Sequence, residues 1–470
     1  MPSLEEFDLI VVGAGPGGYV AAIRAAELGM KTACIEKDSN PGGVCLNVGC
    51  IPSKVLLEST EDYVLARNSF GGHGIRTGSV VVDLPELMEW KKKIVSGLGD
   101  NVRKLLEANK IPLIRGNARL ASDQVAEVQG ADGTASLRAG AILLATGSEP
   151  VPLPFLPFDG KNVISSTEAL EFDSVPNRLG IIGAGYIGLE LGSVWSRLGS
   201  EVTVIEVLPG IAAALDGQTA RLLERLLKRQ GLRFRLGTEV IRSETTENGV
   251  KLVLQTGGKE EDALFDKVLV AVGRKPLVRG LGLQKLGIRI DSRGFVVVDE
   301  KYRTSIPRIY AIGDLVAGPM LAHKASAEGI AAVECLAGLP GNVDYDAIPS
   351  VIYTTPEVAG VGKTEQELKK LGIDYRASVY PFAGVARARC LDQTEGFAKI
   401  LAHSRSDRIL GVHIIGPRAS ELIAECVLAM RLHMGTQDLC RTIHAHPTLS
   451  EAIHESAMKF PGPKSSVLTR

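Results

Sequence analysis

The chain is predicted to be an α/β protein, with two doubly wound Rossmann-like domains followed by a C-terminal α+β domain. Three observations predict this. A strand–glycine loop–helix unit occurs twice, and each copy is followed by a second strand that ends in glutamate. From about residue 346 the pattern changes to alternating strands and then helices. At 470 residues the chain exceeds a single core and should divide into about three or four domains.

In chain order, Asp8–Val12 reads as a short buried strand, followed by Gly13, Ala14, Gly15, Pro16, Gly17 and Gly18 and a helix through Leu28. Thr32–Glu36 is the second strand. The repeat begins with Arg178–Ile182 and continues with Gly183, Ala184, Gly185, Tyr186, Ile187 and Gly188, a helix through Leu198 and the strand Val202–Glu206. In both copies the glutamate lies 18 residues past the last motif glycine, from Gly18 to Glu36 and from Gly188 to Glu206.

One such motif alone is weak evidence, because glycines also serve packing. Two copies, each in its required context, imply two dinucleotide sites. Gly13 and Gly183 permit the tight turn, Gly15 and Gly185 let a pyrophosphate approach the backbone, and Gly18 and Gly188 let helix pack on strand. Each helix N-terminus then offers free N–H groups and a favourable dipole to phosphate. Glu36 and Glu206 are placed to accept hydrogen bonds from a ribose diol, although either would also suit a solvated strand end. A carboxylate at Glu206 repels a 2′-phosphate, and Val207, Leu208 and Pro209 provide no arginine. The second site is therefore expected to prefer NAD over NADP.

Ile142–Ser148 and Val268–Arg274 each read as the late strand of a sheet, and Pro150, Pro152, Pro154 and Pro157 mark a linker. Ile309–Asp314 reads as a further strand running into a polar loop, so the second unit is expected to be inserted into the first. The expected domains are 1–150, 151–273, 274–345 and 346–470. Phe397–Leu401 and Gly411–Ile415 are strands of the last.

Composition excludes several classes. The 53 basic and 54 acidic residues nearly cancel, which gives no reason to expect nucleic acid or an anionic membrane surface. Apolar runs such as Ala141–Ala145 are strand-sized, too short to span a bilayer. Met1–Glu6 is acidic and reads as neither a signal peptide nor an Arg-rich transit peptide. The expected location is cytoplasmic, or the mitochondrial matrix if a presequence has been removed. Seven cysteines do not make a disulfide scaffold. Cys34, Cys335, Cys390, Cys426 and Cys440 read as reduced thiols in a reducing compartment.

Cys45 and Cys50 differ from these five. They lie in Gly42–Lys54, about one βαβ unit beyond the first glycine loop, and their spacing permits a small intrachain disulfide. Half a zinc site is the competing reading, but no second Cys or His pair follows at comparable spacing, so no metal is expected. Beside a nucleotide the pair reads as a redox disulfide. Ile51–Lys54 begins or continues a helix, and a helix N-terminal region lowers a thiol pKa. Lys54 would aid the thiolate or contact a flavin, or equally lie along the surface as a solvated side chain. At the far end stands the segment His444–Glu451. A thiol substrate needs a base working near neutral pH, which suits His, and Glu451 begins a helix from which it would orient an imidazole. Three of the eight histidines fall between residues 444 and 454, so composition does not choose among them.

Together these segments resemble the pyridine nucleotide-disulfide oxidoreductases and, within them, the dihydrolipoamide dehydrogenases. The resemblance spans essentially the whole chain: Gly13–Gly18, Gly42–Lys54, Ala145–Ser148, Gly183–Glu190, Val272–Pro276, Ala311–Asp314, Leu321–Ala325 and His444–Glu451. It implies FAD in the first site, with Glu36 on its ribose, Asp314 on its ribityl chain, and Thr146 and Gly147 nearby. It implies NAD in the second, with Glu206 on its ribose and Gly273 alongside. Lys54 and Glu190 would pair beside the flavin. Cys45 would meet the substrate, Cys50 would face the flavin, and His446 with Glu451 would act as base from the other subunit of a homodimer. The last domain would then be a dimerisation domain. The implied reaction is NAD-linked oxidation of dihydrolipoyl groups. These would be carried by lipoyl domains of the acyltransferase (E2) component of 2-oxo acid dehydrogenase complexes, or by the glycine-cleavage H protein. Val44 stands where the family usually has Thr, and no C-terminal cysteine pair follows Cys440.

Overall fold

The computed structural model describes residues 5–131 and 133–460. The reading of the extreme N-terminus, Met1–Leu4, lies outside them. The apolar strand Glu5–Val12 is buried on both faces from Leu9 onward, as expected where helices cover a parallel sheet. It pairs in parallel with Thr32–Glu36 on one side and with Gly133–Leu144 on the other. Leu113–Arg115 extends one edge and Ile309–Ala311 the other, both parallel. The second sheet repeats the plan with five parallel strands, in the order Arg233–Leu236, Glu201–Glu206, Arg178–Ile182, Lys267–Val270 and Val163–Ile164.

The repeat extends beyond the glycine units. Each copy places an antiparallel meander before its late strand: Asn117–Leu120 and Val125–Gly130 with the start of Gly133–Leu144 in the first, and Thr238–Thr246, Gly249–Thr256 and Lys259–Phe265 in the second. The late strands also end sooner than expected, at Leu144 and Val270. Ser148–Pro150 and Arg274–Pro276 then pair with one another, so the chain enters and leaves the second sheet through adjacent connections. Gly147 and Gly273 make the turns, at φ 74° and 137°, a region that L side chains avoid.

The return of Ile309–Ala311 to the first sheet closes one core. Leu281, Leu283, Ile288 and Val296 pack there with Phe7, Ile10 and Ile142. The final domain is a five-stranded antiparallel sheet ordered Ser350–Ile352, Glu357–Gly362, Ile409–Gly416, Phe397–His403 and Tyr375–Pro381. Helices Ala419–Arg431 and Glu451–Met458 share its core. The fully buried Lys399 joins this sheet to the second unit, at the start of its helix Gly217–Arg229. Its ammonium donates to both oxygens of Asp216 at 2.9 and 3.0 Å and to Glu365 at 2.6 Å. Among the described residues no helix is long and apolar enough to cross a membrane.

Candidate active site

The glycines of the two loops divide their work as their spacing implies. A Cβ on Gly13 would lie 2.5 Å from the Ala145 carbonyl oxygen, and one on Gly18 would lie 1.8 Å from that of Gly13. Gly183 and Gly188 repeat this, at 2.5 Å from the Ala271 oxygen and 2.2 Å from the Gly183 oxygen. None of the four has room for a Cβ, and Gly13 and Gly183 also make the turn, at φ 102° and 105°. A Cβ on Gly15 would meet nothing nearer than 3.9 Å, and one on Gly185 nothing within 4 Å. The middle glycine of each loop therefore faces open space that a side chain would fill, which is the fit a pyrophosphate requires.

Glu36 Oε2 accepts the Ala14 N–H at 2.8 Å, and Oε1 accepts that of Asp38 at 3.0 Å. Glu206 does the same with Ala184 at 2.8 Å and Leu208 at 2.9 Å. Each carboxylate thus fixes its own glycine loop, a duty the motif alone does not reveal.

A cavity of about 720 Å³ opens between the first sheet and the start of the second unit. Gly13, Gly15, Glu36, Cys45, Cys50, Lys54, Thr146, Gly147, Glu190 and Asp314 all line it. Gly18, Gly183, Gly185, Gly188, Glu206, Gly273, His446 and Glu451 lie outside its walls. Its size and glycine cradle fit a flavin dinucleotide. Asp314 is held in place by groups that sequence reasoning missed. Its carboxylate accepts from the Ser148 hydroxyl, to which Arg274 Nε donates at 2.7 Å. Behind it, Glu328 accepts the Gly313 N–H at 2.7 Å, and Lys324 donates to the Gly313 carbonyl at 3.0 Å. A fully buried ion pair is costly, and here it grips both sides of the residue before Asp314. Thr146 serves structure, its hydroxyl donating to the Leu277 carbonyl at 2.8 Å.

The two thiols stand on separate helices. Cys45 is within the short helix Gly43–Val48, and Cys50 opens the long helix Cys50–Asn68, with Gly49 between them. In one unbroken helix, residues five apart point about 140° away from each other. The break at Gly49 brings the thiols back together, close enough for each to shift the other's ionisation. A Cβ on Gly49 would lie 2.8 Å from the Val44 carbonyl oxygen, so the turn needs glycine for closeness.

The pair is unequal. Interaction with the neighbouring Cys45 thiol, together with the Lys54 charge, lowers the Cys50 pKa to about 7 against the opposing effects of burial and Glu190. The same interaction and burial push Cys45 far up. Cys50 therefore ionises first. Lys54 Nζ donates to Glu190 Oε2 at 2.8 Å, and Glu190 is almost wholly buried.

The structure also separates the three histidines. His444 is buried against Glu425, at 3.1 Å, and its ring lies 5.0 Å from that of His454. His446 is 72% exposed, and its Nδ1 lies 2.8 Å from Glu451 Oε1. Glu451 Oε2 accepts the Thr448 N–H at 2.9 Å. The His446 hydrogen bond is the main reason the Glu451 carboxyl is held below its usual pKa. An acceptor on Nδ1 places the proton there and leaves Nε2 as the basic atom. Within one chain His446 is not part of the cavity wall.

A nucleotide-sized cleft with a polarised dithiol in its wall, joined to a second glycine-loop unit, defines a nucleotide-linked dithiol–disulfide oxidoreductase. The chain belongs to the pyridine nucleotide-disulphide oxidoreductase family: residues 7–329 match the family model, and residues 348–457 match its dimerisation domain. It is 48% identical over 457 residues to a leghemoglobin reductase of Vigna unguiculata, covering 97% of this chain and 87% of that protein. It is also 48% identical over 463 residues to dihydrolipoyl dehydrogenase 3 of Pseudomonas aeruginosa, covering 98% of this chain and 99% of that protein. Among solved structures, LpdA from Mycobacterium tuberculosis superposes with a TM-score of 0.89 at 26% identity, over 97% of this chain and 99% of that one.

Proposed function

We propose that the protein oxidises dihydrolipoyl groups to lipoyl groups and reduces NAD⁺, through a Cys45–Cys50 disulfide. The domains would be an FAD-binding part at 1–150 completed by 274–345, an NAD-binding part at 151–273, and a dimerisation part at 346–470. The observation that carries the reading is the polarised thiol pair in the wall of a glycine-cradled cavity. FAD, when bound there, supplies the two-electron relay between the thiols and NAD⁺. Glu36 would hold its ribose and Asp314 its ribityl chain, while Glu206 would hold the ribose of NAD.

The chain's own residues account for the thiol chemistry. His446 Nε2 takes the proton from one substrate thiol, and the resulting thiolate attacks Cys45 Sγ, breaking the bond to Cys50. The second substrate thiol then displaces Cys45, closing the product disulfide. Cys45 is left as a thiol and Cys50 as a thiolate, which Lys54 stabilises. In the homodimer each chain's His446 would serve the other's cavity, which fits its exposure and its place outside the wall of its own. The carriers would be lipoyl domains of an acyltransferase (E2) component or the glycine-cleavage H protein. A reducing compartment, cytoplasm or matrix, suits a chain whose other described cysteines are also free.

The test is an anaerobic titration of the holoenzyme with one equivalent of dihydrolipoamide, followed by turnover with NAD⁺. A long-wavelength thiolate-to-flavin absorption together with turnover is expected. Turnover confined to NADPH and glutathione disulfide would overturn the substrate assignment.

A further inference from the structure

The Lys54–Glu190 pair has a third neighbour that the mechanism above does not use. Tyr353 follows the strand Ser350–Ile352 of the C-terminal domain. Its ring centroid lies 4.4 Å from Lys54 Nζ, and its backbone N–H donates to Glu190 Oε1 at 2.9 Å. One residue thus holds the cation by its ring and the carboxylate by its backbone. The segment is itself anchored to both helices beneath it. The Thr355 hydroxyl donates to Glu61 and accepts from Arg197 at 2.7 Å.

We propose that Tyr353 is a positioning residue of the redox centre, its ring holding the Lys54 ammonium toward Cys50 and so stabilising the thiolate released when the disulfide opens. The inference rests on Cys50 being the flavin-facing thiol. The physical argument begins with competition. The groups facing Cys50 are Cys45 from the preceding helix, Lys54 from its own, Glu190 and Tyr186 from the helix Tyr186–Arg197, and Tyr353 itself from the C-terminal domain. Glu190 opposes a thiolate while Lys54 favours it, so the net effect depends on where the ammonium sits. Lys54 remains 31% exposed, and a flexible lysine stem left to itself samples water. A half-buried aromatic face attracts the ammonium through its quadrupole and limits that freedom. Glu357 and Glu421, the other charges near Tyr353, lie on the C-terminal domain.

The experiment compares wild-type holoenzyme with Tyr353→Leu and Tyr353→Phe. Each is reduced anaerobically with one equivalent of dithiol, and its long-wavelength absorption is followed against pH. With Leu the midpoint should rise by about half a pH unit, about threefold in proton affinity. With Phe it should match wild type, because the ring face is kept. A Leu variant titrating with wild type would overturn the proposal, as would a Phe variant displaced as far as Leu. Wild-type enzyme without the absorption would instead overturn the assignment of Cys50, and the proposal with it. Should the Leu variant not fold, Tyr353→Met, of similar length and without a π face, is read by the same criteria.

Discussion

Replacing Glu451 with Gln removes one acceptor from a carboxylate that uses two. Oε1 takes the His446 Nδ1 proton at 2.8 Å, and Oε2 takes the Thr448 N–H at 2.9 Å. An amide offers one oxygen and one NH₂ group. If the oxygen stays on Thr448, the NH₂ meets Nδ1, and the imidazole must move its proton to Nε2. That is the atom which, in the proposed mechanism, receives a proton in turnover. If the oxygen stays on His446, the NH₂ faces another donor and the loop shifts. A charge-assisted hydrogen bond contributes about 1.5–3 kcal/mol against about 0.5–1.5 for a neutral one. With His446 largely exposed, the low end of both ranges applies, a loss of about 1 kcal/mol or about fivefold in rate. The wrong tautomer would deepen this toward about a hundredfold. Stopped-flow mixing separates the halves: flavin reduction by dihydrolipoamide should slow, and flavin reduction by NADH should not. An unchanged thiol half-reaction, or equal loss in both, would refute the base assignment.

Three further outcomes follow from the same geometry. The Cys50 thiolate, with its pKa lowered to about 7, should persist above that pH and be lost as pH falls through it; Lys54→Met should move the spectral midpoint upward, and an unmoved midpoint would show that Lys54 does not act on the thiolate. Lys399→Met should leave the buried Asp216 without its cation and Glu365 with Lys369 alone, lowering stability by about 3–5 kcal/mol in denaturant unfolding. Glu365, held at about 2 chiefly by Lys399, is depressed when folded, so its contribution is fully present above its ordinary value of about 4.3 and fades as pH falls toward 2; unfolding curves that coincide for wild type and Lys399→Met from pH 6 to 3 would count against this. Gly49→Ala should impair disulfide formation, because its Cβ would press on the Val44 carbonyl; thiol titration after air oxidation should then find two more reactive cysteines than in wild type, and an equal count would argue against the turn.

What was legible in the sequence follows physical period and exclusion. The glycine loops and their glutamates could be read because the turn, the close approach and the ribose acceptor each demand one residue type at one place. The central strands Phe397–His403 and Ile409–Gly416 could be read because both faces are buried and their text is mostly apolar, broken only by Lys399, His403 and His413. The meanders could not. Lys259–Phe265 carries Lys, Glu, Glu and Asp on an exposed strand, and such text reads as loop until its antiparallel partner is known. Ser148 and Arg274 escaped notice because their roles arise only where two connections pair, far apart in sequence. The three histidines could be sorted only by burial: the His444 side chain is buried beside Glu425, whereas His446 stands exposed beside Glu451.

The spacing of Cys45 and Cys50 acquires its meaning from the residue between them. In a single helix the sulfurs would diverge, and in a loop they would meet without any reason to differ. Gly49 ends one helix and caps the next, so it achieves both closeness and inequality. Cys45 is left inside a short helix, where its interaction with Cys50 and burial keep its proton. Cys50 becomes the first residue of a 19-residue helix, where the unpaired N–H groups favour negative charge. Lys54, one turn further along that helix, adds its cation on the same face. A disulfide opened here would leave its negative charge on Cys50, beside the Lys54–Glu190 pair, whose carboxylate comes from the second glycine unit and accepts the backbone N–H of Tyr353 from the C-terminal domain.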